Sequence, residues 1–187
     1  LIPSGVSFDI GSELFPLLAE RGLPFYAQGR PFNWLDIGTM GDYWEVLQTV
    51  LTGEVAHMVV PGTQIEPGLW VGLNTSIDWN GTTIEGPVYI GSGVRIEAGV
   101  HIVGPTWIGH GSHICEGAEV VRSVLFEYTR VLHDVTLNEM IVFKEYSVDR
   151  AGEMKHASEY ESEEWVNARD RRRSSRKETA GQKSNNR

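Results

Sequence analysis

The sequence contains very little cysteine and no long apolar run. Cys115 is the single cysteine among 187 residues, which excludes an internal disulfide and favours a reducing compartment such as the cytoplasm. No apolar run is long enough to span a membrane, and no signal peptide is recognisable. We therefore expect a cytoplasmic protein without a membrane partner.

Basic residues are scarce in most of the chain. Residues 1–150 carry 7 Lys and Arg against 18 Asp and Glu, whereas residues 151–187 carry 9 against 7. An acidic body repels a phosphate backbone, so nucleic acid is not expected as a partner. The basic run at 169–177 is interpreted as part of a solvated tail.

A period of six residues dominates the middle of the sequence. Aliphatic residues recur at this interval, namely at Ile84, Ile90, Ile96, Ile102, Ile108, Ile114 and Val120. The positions four residues further on are small or β-branched, namely Val88, Val94, Val100, Thr106, Ser112 and Ala118. Neither an α-helix nor an alternating strand has this period, which indicates a repeat architecture. An ordinary antiparallel domain would instead show two-residue alternation and hairpin turns.

Each six-residue unit is interpreted as one short strand followed by a tight corner. The aliphatic side chain points into a narrow stack, and stacked units bury together what one unit alone leaves exposed. The pattern resembles the hexapeptide-repeat proteins, whose fold is a left-handed parallel β-helix of triangular coils. It begins at Ile65, with one extra residue before Ile84, and continues more loosely through Val131, Leu137 and Phe143.

Residues 1–52 have a different character. Residues 9–22 predict a short helix that ends at Gly22, and residues 25–27 and 32–36 predict two short strands. A capping-box-like start at Thr39 predicts a second helix that runs to about Leu51. These elements are too few for a closed domain, and the chain begins with Leu rather than Met. We therefore expect further sequence upstream.

The predicted organisation has four parts. Residues 1–52 are the C-terminal remnant of a Rossmann-like α/β domain, residues 53–64 are a linker, and residues 65–150 are the β-helix. Residues 151–187 are a polar tail, disordered or partly helical, with a candidate helix at 158–173. The fold class is mainly β.

The segment Trp34-Leu35-Asp36-Ile37-Gly38-Thr39 carries a second resemblance. With residues 7–10 and 14–18, it resembles the end of the catalytic domain of sugar-1-phosphate nucleotidyltransferases. The mannose-1-phosphate guanylyltransferase-like and glucose-1-phosphate nucleotidyltransferase-like members are most similar. Many members of that family append a hexapeptide β-helix to a Rossmann-like catalytic domain, which is the order of parts predicted here.

The resemblance implies roles for three residues. Asp36 corresponds to one of the family's two metal-binding aspartates and would hold Mg²⁺, which prefers carboxylate and phosphate oxygens. Trp34 would wall the sugar site, and Asp9 would face the sugar pocket. Taken alone, Asp36 is better interpreted as an acid that ends a strand before a turn, and it is the neighbouring residues that favour the metal assignment. Asp42 is assigned to the first helical turn, and no residue is assigned as catalytic.

The implied reaction joins a nucleoside triphosphate to a sugar 1-phosphate and releases pyrophosphate. GTP with mannose 1-phosphate is the first expectation, and dTTP or UTP with glucose 1-phosphate is the second. The family's Gly-rich nucleotide loop is absent from these 187 residues, so we expect the chain alone to be inactive. The intact enzyme is expected to form homo-oligomers through the β-helix.

Two alternatives remain open. A hexapeptide acyltransferase would use a histidine base, for which His101, His110, His113 and His133 are candidates. His101 and His113 are twelve residues apart and should lie on different faces of a β-helix with about eighteen residues per coil. The other alternative is a non-catalytic regulatory or scaffold relative of the nucleotidyltransferases.

Overall fold

The computed structural model describes residues 1–160 and 164–167. The chain divides into two compact units, of which the first is Leu1–Trp34 and the second begins at Leu35. Within the described residues, no helix is both long and apolar enough to cross a membrane.

The first unit contains one helical segment. A π-helical turn at Ile10–Leu14 leads directly into helix α1, Phe15–Glu20. Gly22 follows in the left-handed conformation, with a φ of 62°, which suits a residue without a Cβ. The predicted helix over residues 9–22 is confirmed, although its first turn is wider than an α-helical one.

The two strands predicted around Gly29 are absent. Residues 25–27 and 32–36 belong to no strand. A strand is stable only when a neighbour pairs its backbone N–H and C=O groups, and none of the described strands pairs with these segments. That part of the prediction is wrong.

Helix α2 opens the second unit at Met40–Leu51. The Thr39 hydroxyl accepts a hydrogen bond from the Asp42 backbone N–H, and the Asp42 carboxylate accepts one from the Thr39 backbone N–H. This reciprocal pair satisfies two N–H groups that the first turn would otherwise leave unpaired. Both the capping box and the extent of α2 are confirmed.

Seventeen short strands lie among the described residues after α2. In chain order they are β1 (Thr63–Glu66), β2 (Leu69–Val71), β3 (Ser76–Ile77), β4 (Thr83–Glu85), β5 (Val88–Ile90), β6 (Arg95–Ile96), β7 (His101–Val103), β8 (Thr106–Ile108), β9 (His113–Ile114), β10 (Glu119–Val121), β11 (Val124–Leu125), β12 (Thr129–Val131), β13 (Thr136–Asn138), β14 (Met140–Phe143), β15 (Tyr146–Asp149), β16 (Met154–His156) and β17 (Trp165–Asn167).

The strands wind into a parallel β-helix with three sheets. The first sheet contains the parallel strands β2, β5, β8, β11 and β14, the second contains β3, β6, β9 and β12, and the third contains β4, β7, β10 and β13. Each strand pairs with its equivalent in the next coil. The predicted mainly β fold and parallel β-helix are therefore confirmed.

Coil length explains both irregularities in the sequence pattern. Val71 pairs with Ile90, Ile90 with Ile108, and Val124 with Ile141. The coil between Val71 and Ile90 therefore contains 19 residues, the next contains 18, and the coil between Val124 and Ile141 contains 17. The first of these accounts for the extra residue before Ile84, and the shorter coils account for the looser period after Val120.

The core is the column predicted from the six-residue period. From Ile90 to Val120, every member of the aliphatic series and every small partner is buried, and Ile84 is partly buried against them. Phe143 was predicted to continue the column but is 45% exposed, and its neighbour Val142 is buried instead. The 17-residue coils move the inward position back by one residue, so that prediction is wrong.

Antiparallel strands extend the sheets of the β-helix at their ends. β1 pairs with β2 in the first coil, β15 and β16 extend the first sheet beyond β14, and β17 pairs with β12. Each covers a strand edge that would otherwise expose unpaired backbone groups.

The polar tail predicted from residue 151 contains ordered structure. Strand β16, a 3₁₀ turn at Ala157–Glu159 and strand β17 lie within it. Trp165 is 1% exposed because it packs into the β-helix core, and its indole N–H donates to the Lys144 carbonyl. For these segments the prediction of a disordered or helical tail is wrong. Residues 161–163 and 168–187, with most of the candidate helix, lie outside the described residues.

Helix α2 lies on the outer face of the first sheet. Trp44 packs with Val124 and Ile141 in a second apolar cluster. Partly buried side chains surround it, namely those of Met40, Tyr43, Leu47, Trp107, Phe126 and Val148. The first sheet is therefore apolar on both faces, one toward the interior of the coils and one toward α2.

Candidate functional site

Asp36 lies in the short segment that leads into helix α2. Its side chain is exposed, and the segment from Asp36 to Thr39 belongs to no strand. The predicted setting at a strand end is therefore absent, although the residue remains free to reach a ligand from solvent. Its assignment as a metal ligand stays a prediction.

Trp34 and Asp9 belong to the first unit, whereas Asp36 belongs to the second. Trp34 is 76% exposed, and Phe32 contacts it edge-to-face at 6.2 Å between ring centroids. An exposed indole offers a flat apolar wall to a ligand. Its role at a sugar site stays a prediction.

Asp9 already has local partners. Its Oδ1 accepts hydrogen bonds from the Ser12 backbone N–H at 2.6 Å and the Ser12 hydroxyl at 2.7 Å. These bonds, that of the backbone N–H first, lower the pKa of Asp9 below its ordinary value. The carboxylate therefore caps the π-helical turn. This structural role neither requires nor excludes the predicted contact with a sugar.

A groove of about 490 Å³ lies at the N-terminal end of helix α2. Its lining side chains are mostly apolar and come from the helix, the residues before it and the first sheet, namely Ile37, Gly38, Thr39, Met40, Tyr43, Phe126 and Ile141. Burial raises the pKa of Tyr43. The segment that follows Asp36 therefore forms one wall of a concave apolar surface.

Asp42 has the structural role predicted for it. Its Oδ2 accepts hydrogen bonds from the Thr39 hydroxyl at 2.8 Å and from the backbone N–H groups of Thr39 and Gly38. These contacts, led by the Thr39 hydroxyl, lower the pKa of Asp42. The carboxylate is occupied in starting α2 and is not available for chemistry.

Three of the four candidate histidines join successive coils. His101 Nε2 lies 3.3 Å from Glu85 Oε1 on the third sheet, and His113 Nε2 lies 2.8 Å from Glu97 Oε1 on the second. The Ser92 backbone N–H donates to His110 Nδ1. His101 and His113 lie on different faces, as predicted, so they form no joint site. Their contacts are those of cross-coil structural pairs.

One cluster was missed by the sequence reasoning. Single donor atoms of Glu97, Cys115 and His133 all lie within 4.8 Å of one another. The three residues are spaced eighteen apart in sequence. This is the length of the coil between Glu97 and Cys115 and one residue more than the coil that follows. The repeated interval is the sequence signal that could have indicated the cluster.

Comparison with known proteins gives one informative relative. No known family profile matches the chain. The chain is 46% identical over 151 residues, or 81% of its length, to a curated protein of Synechocystis sp. (strain ATCC 27184 / PCC 6803 / Kazusa). That relative is named UTP–glucose-1-phosphate uridylyltransferase. The matched region is 39% of the relative's length.

Proposed function

The chain belongs to the sugar-1-phosphate nucleotidyltransferase family, and we propose that it is the C-terminal portion of a nucleotide-sugar synthase. The intact enzyme would join a nucleoside triphosphate to a sugar 1-phosphate and release pyrophosphate. The identity to a uridylyltransferase over 81% of the chain carries the proposal. The parallel β-helix that follows a short helical segment supports it.

For the substrates, we propose UTP and glucose 1-phosphate. The relative's name supports this pair, which was the second of the two pairs expected from the sequence. GTP and mannose 1-phosphate, the first expectation, has no support from the comparison.

We further propose that Asp36 contributes one ligand to Mg²⁺. The chemistry fits, because Mg²⁺ is held by one or two carboxylates together with substrate phosphates and water, and Asp36 is an exposed carboxylate. When bound, the ion would neutralise charge on the phosphate oxygens. A single protein ligand, the Asp36 carboxylate, does not hold the ion tightly. The remaining ligands would come from the substrates and from the part of the enzyme that corresponds to the unmatched region of the relative.

Trp34 and Asp9 keep the roles that the resemblance implies for them. Trp34, an exposed indole, would give the sugar an apolar wall, and the exposed carboxylate of Asp9 would accept a sugar hydroxyl. We also propose a cytoplasmic location for the enzyme, and self-association through the β-helix, whose flat sheets suit subunit contacts.

A chimera tests the proposed function. The matched 151 residues of this chain would replace the corresponding part of the Synechocystis uridylyltransferase, and pyrophosphate release would be measured with UTP, glucose 1-phosphate and Mg²⁺. We expect UDP-glucose to form at a rate near that of the parent enzyme. The isolated chain of 187 residues should release no pyrophosphate above background.

Two variants of the chimera separate the role of Asp36 from that of negative charge in general. Asp36→Asn should lower kcat by at least about 100-fold and raise the Mg²⁺ concentration needed for half-maximal rate, because one metal ligand is lost. Glu45→Gln changes an exposed acid on helix α2 and should leave both values unchanged. A folded but inactive chimera would overturn the proposed function, and an active Asp36→Asn chimera would overturn the metal assignment alone.

A further inference from the structure

A cluster of three different donor groups lies on the second sheet, away from the segment around Asp36. Glu97 follows strand β6, Cys115 follows β9 one coil later, and His133 follows β12 one coil after that, with Leu132 in between. One donor atom of each lies within 4.8 Å of the other two. The cluster thus gathers a carboxylate, a thiol and an imidazole from three successive coils.

The coil register makes this cluster a fixed feature of the fold. Ile96 pairs with Ile114, so that Glu97 and Cys115 occupy equivalent positions one coil apart. Ile114 pairs with Val131, which places Leu132 beside Cys115 and His133 one residue further along. Donors that lie just beyond the ends of paired strands need little reorganisation to bind a ligand.

The donor set is the kind that zinc-like cations prefer. Zn²⁺ takes thiolate, imidazole and carboxylate ligands at about 2.0–2.3 Å, and three protein ligands with a fourth open position are common in exchangeable sites. At these bond lengths the donor atoms would be about 3.3–3.8 Å apart. The exposed side chain of His133 provides most of the small adjustment required.

Neighbouring groups hold two of the three donors in place. His113 Nε2 lies 2.8 Å from Glu97 Oε1, Arg95 lies 3.2 Å from the same oxygen, and the Glu116 backbone N–H donates to Oε2. The Arg130 Nε–H donates to Cys115 Sγ at 3.4 Å. The Glu97 carboxylate and the Cys115 sulfur are therefore fixed in position before an ion binds.

The same neighbours oppose binding through their charge. Arg95 and Arg130 repel a dication, so the affinity must come from direct bonds to the three donors rather than from a negative field. A carboxylate has about four lone-pair directions, so Glu97 can keep its bond to His113 while it binds an ion. A soft thiolate ligand selects transition metals over Mg²⁺ or Ca²⁺ under these conditions.

We propose that Glu97, Cys115 and His133 form a binding site for one divalent transition-metal cation of the zinc type. The site is independent of the proposed nucleotidyl transfer and of Asp36. It lies where three coils meet, so a bound ion cross-links them and stabilises the β-helix.

Cobalt gives the sharpest test, because Co²⁺ replaces Zn²⁺ and reports its ligands by colour. The full chain would be freed of metal by dialysis against a chelator and titrated with Co²⁺. We expect one equivalent to produce an intense near-ultraviolet thiolate-to-cobalt band. Cys115 is the single cysteine, so this band has one possible source. Zn²⁺ should displace the Co²⁺ and raise the melting temperature.

Matched variants assign the ligands. His133→Ala removes an exposed side chain and should weaken Co²⁺ and Zn²⁺ binding by about tenfold or more with the fold intact. His101→Ala removes an imidazole that is also paired with a glutamate but has no thiol beside it, and should change neither affinity. Cys115→Ser should abolish the ultraviolet band, with circular dichroism as the check on folding.

The same measurements can also contradict the proposed metal site. Three results would each overturn the site. The first is a Co²⁺ titration that gives no thiolate band, and the second is an unchanged Co²⁺ affinity in His133→Ala. The third is an equal loss of Co²⁺ affinity in His101→Ala and His133→Ala. The proposed function would be unaffected by these results, because the chimera assay depends on Asp36 and Mg²⁺.

Discussion

At the scale of single residues, glycine is required where coils approach most closely. Gly91 and Gly109 directly follow inward-facing isoleucines in successive coils, and neither has a positive φ. A Cβ built on Gly91 would lie 2.7 Å from the His110 backbone N, and one built on Gly109 would lie 2.7 Å from the Glu127 backbone N. The requirement is therefore for space rather than for a left-handed conformation.

Gly109→Ala should destabilise the protein by about 1–3 kcal/mol, because the added methyl group meets backbone, which moves only if a coil moves. Gly29→Ala is the matched control, since a Cβ there meets nothing within 4 Å. Chemical denaturation of the two variants provides the comparison. Equal stability of both variants would mean that the coils separate more easily than their backbone pairing suggests.

The capping carboxylate of Asp42 makes stability depend on pH. Its pKa is lowered in the folded protein, so its contribution is present above the unfolded value of about 4 and is lost as the pH falls through the folded value. Asp42→Ala should therefore lower the melting temperature at neutral pH, and the difference from wild type should shrink below about pH 4. Glu45→Ala, on the same helix, should show no such trend, and a constant difference for Asp42→Ala would argue against the cap.

At the scale of elements, the residue range of helix α2 was predictable from the sequence, but the sheet on which the helix packs was not. Its boundaries are local properties, because Thr39 and Asp42 are three residues apart and form a capping box wherever the helix lies. Its packing partners Val124 and Ile141 are separated from Trp44 by eighty residues or more. No pattern within residues 40–51 encodes those partners, so the sequence could indicate an apolar face but not the sheet that covers it.

Trp44→Ala should cost about 3–5 kcal/mol if α2 is an integral layer on the first sheet. The side chain is buried against Val124 and Ile141. Trp79→Ala removes the same group from a site that is 51% exposed and should cost within about 0.5 kcal/mol. Thermal unfolding of both variants checks the contrast. A small effect of Trp44→Ala would show that the β-helix is stable without its covering helix.

At the scale of the whole molecule, the repeat was predictable and its ends were not. Each inward position is marked by its own residue type at a fixed spacing, so Ile90, Ile102 and Ile114 predict a common interior without knowledge of any contact. No repeat in the sequence indicates that β17 pairs with β12. Trp165 lies in a segment whose polar composition predicts a tail. The free energy gained by burying the Trp165 indole outweighs the preference of its polar neighbours for solvent.

The candidate site was predicted only through resemblance. Asp36, Trp34 and Asp9 are exposed residues in segments without strand structure, so no burial or periodicity identifies them. Their proposed partners belong to the part of the relative that this chain does not match. The Glu97, Cys115 and His133 cluster, in contrast, is indicated by a repeated interval of eighteen residues, although the 17-residue coil after Cys115 offsets His133 by one position.

The division into two units predicts where a protease cuts first. Residues 23–37 form no helix or strand, and they include the exposed aromatic side chains of Tyr26, Phe32 and Trp34. Chymotrypsin needs an exposed aromatic residue on a chain that can enter its active site, which paired strands resist. We therefore expect brief digestion to cut within residues 23–37 and to leave a fragment that contains the β-helix.

Two exposed aromatic residues inside the β-helix region serve as internal controls for this digestion. Trp79 and Phe143 are 51% and 45% exposed but lie beside or within paired strands, so mass spectrometry should find cuts there much later. Residues 168–187 contain no aromatic residue and leave the assay unaffected. First cleavage at Trp79 or Phe143 would mean that the coils open more readily than the segment of residues 23–37 does.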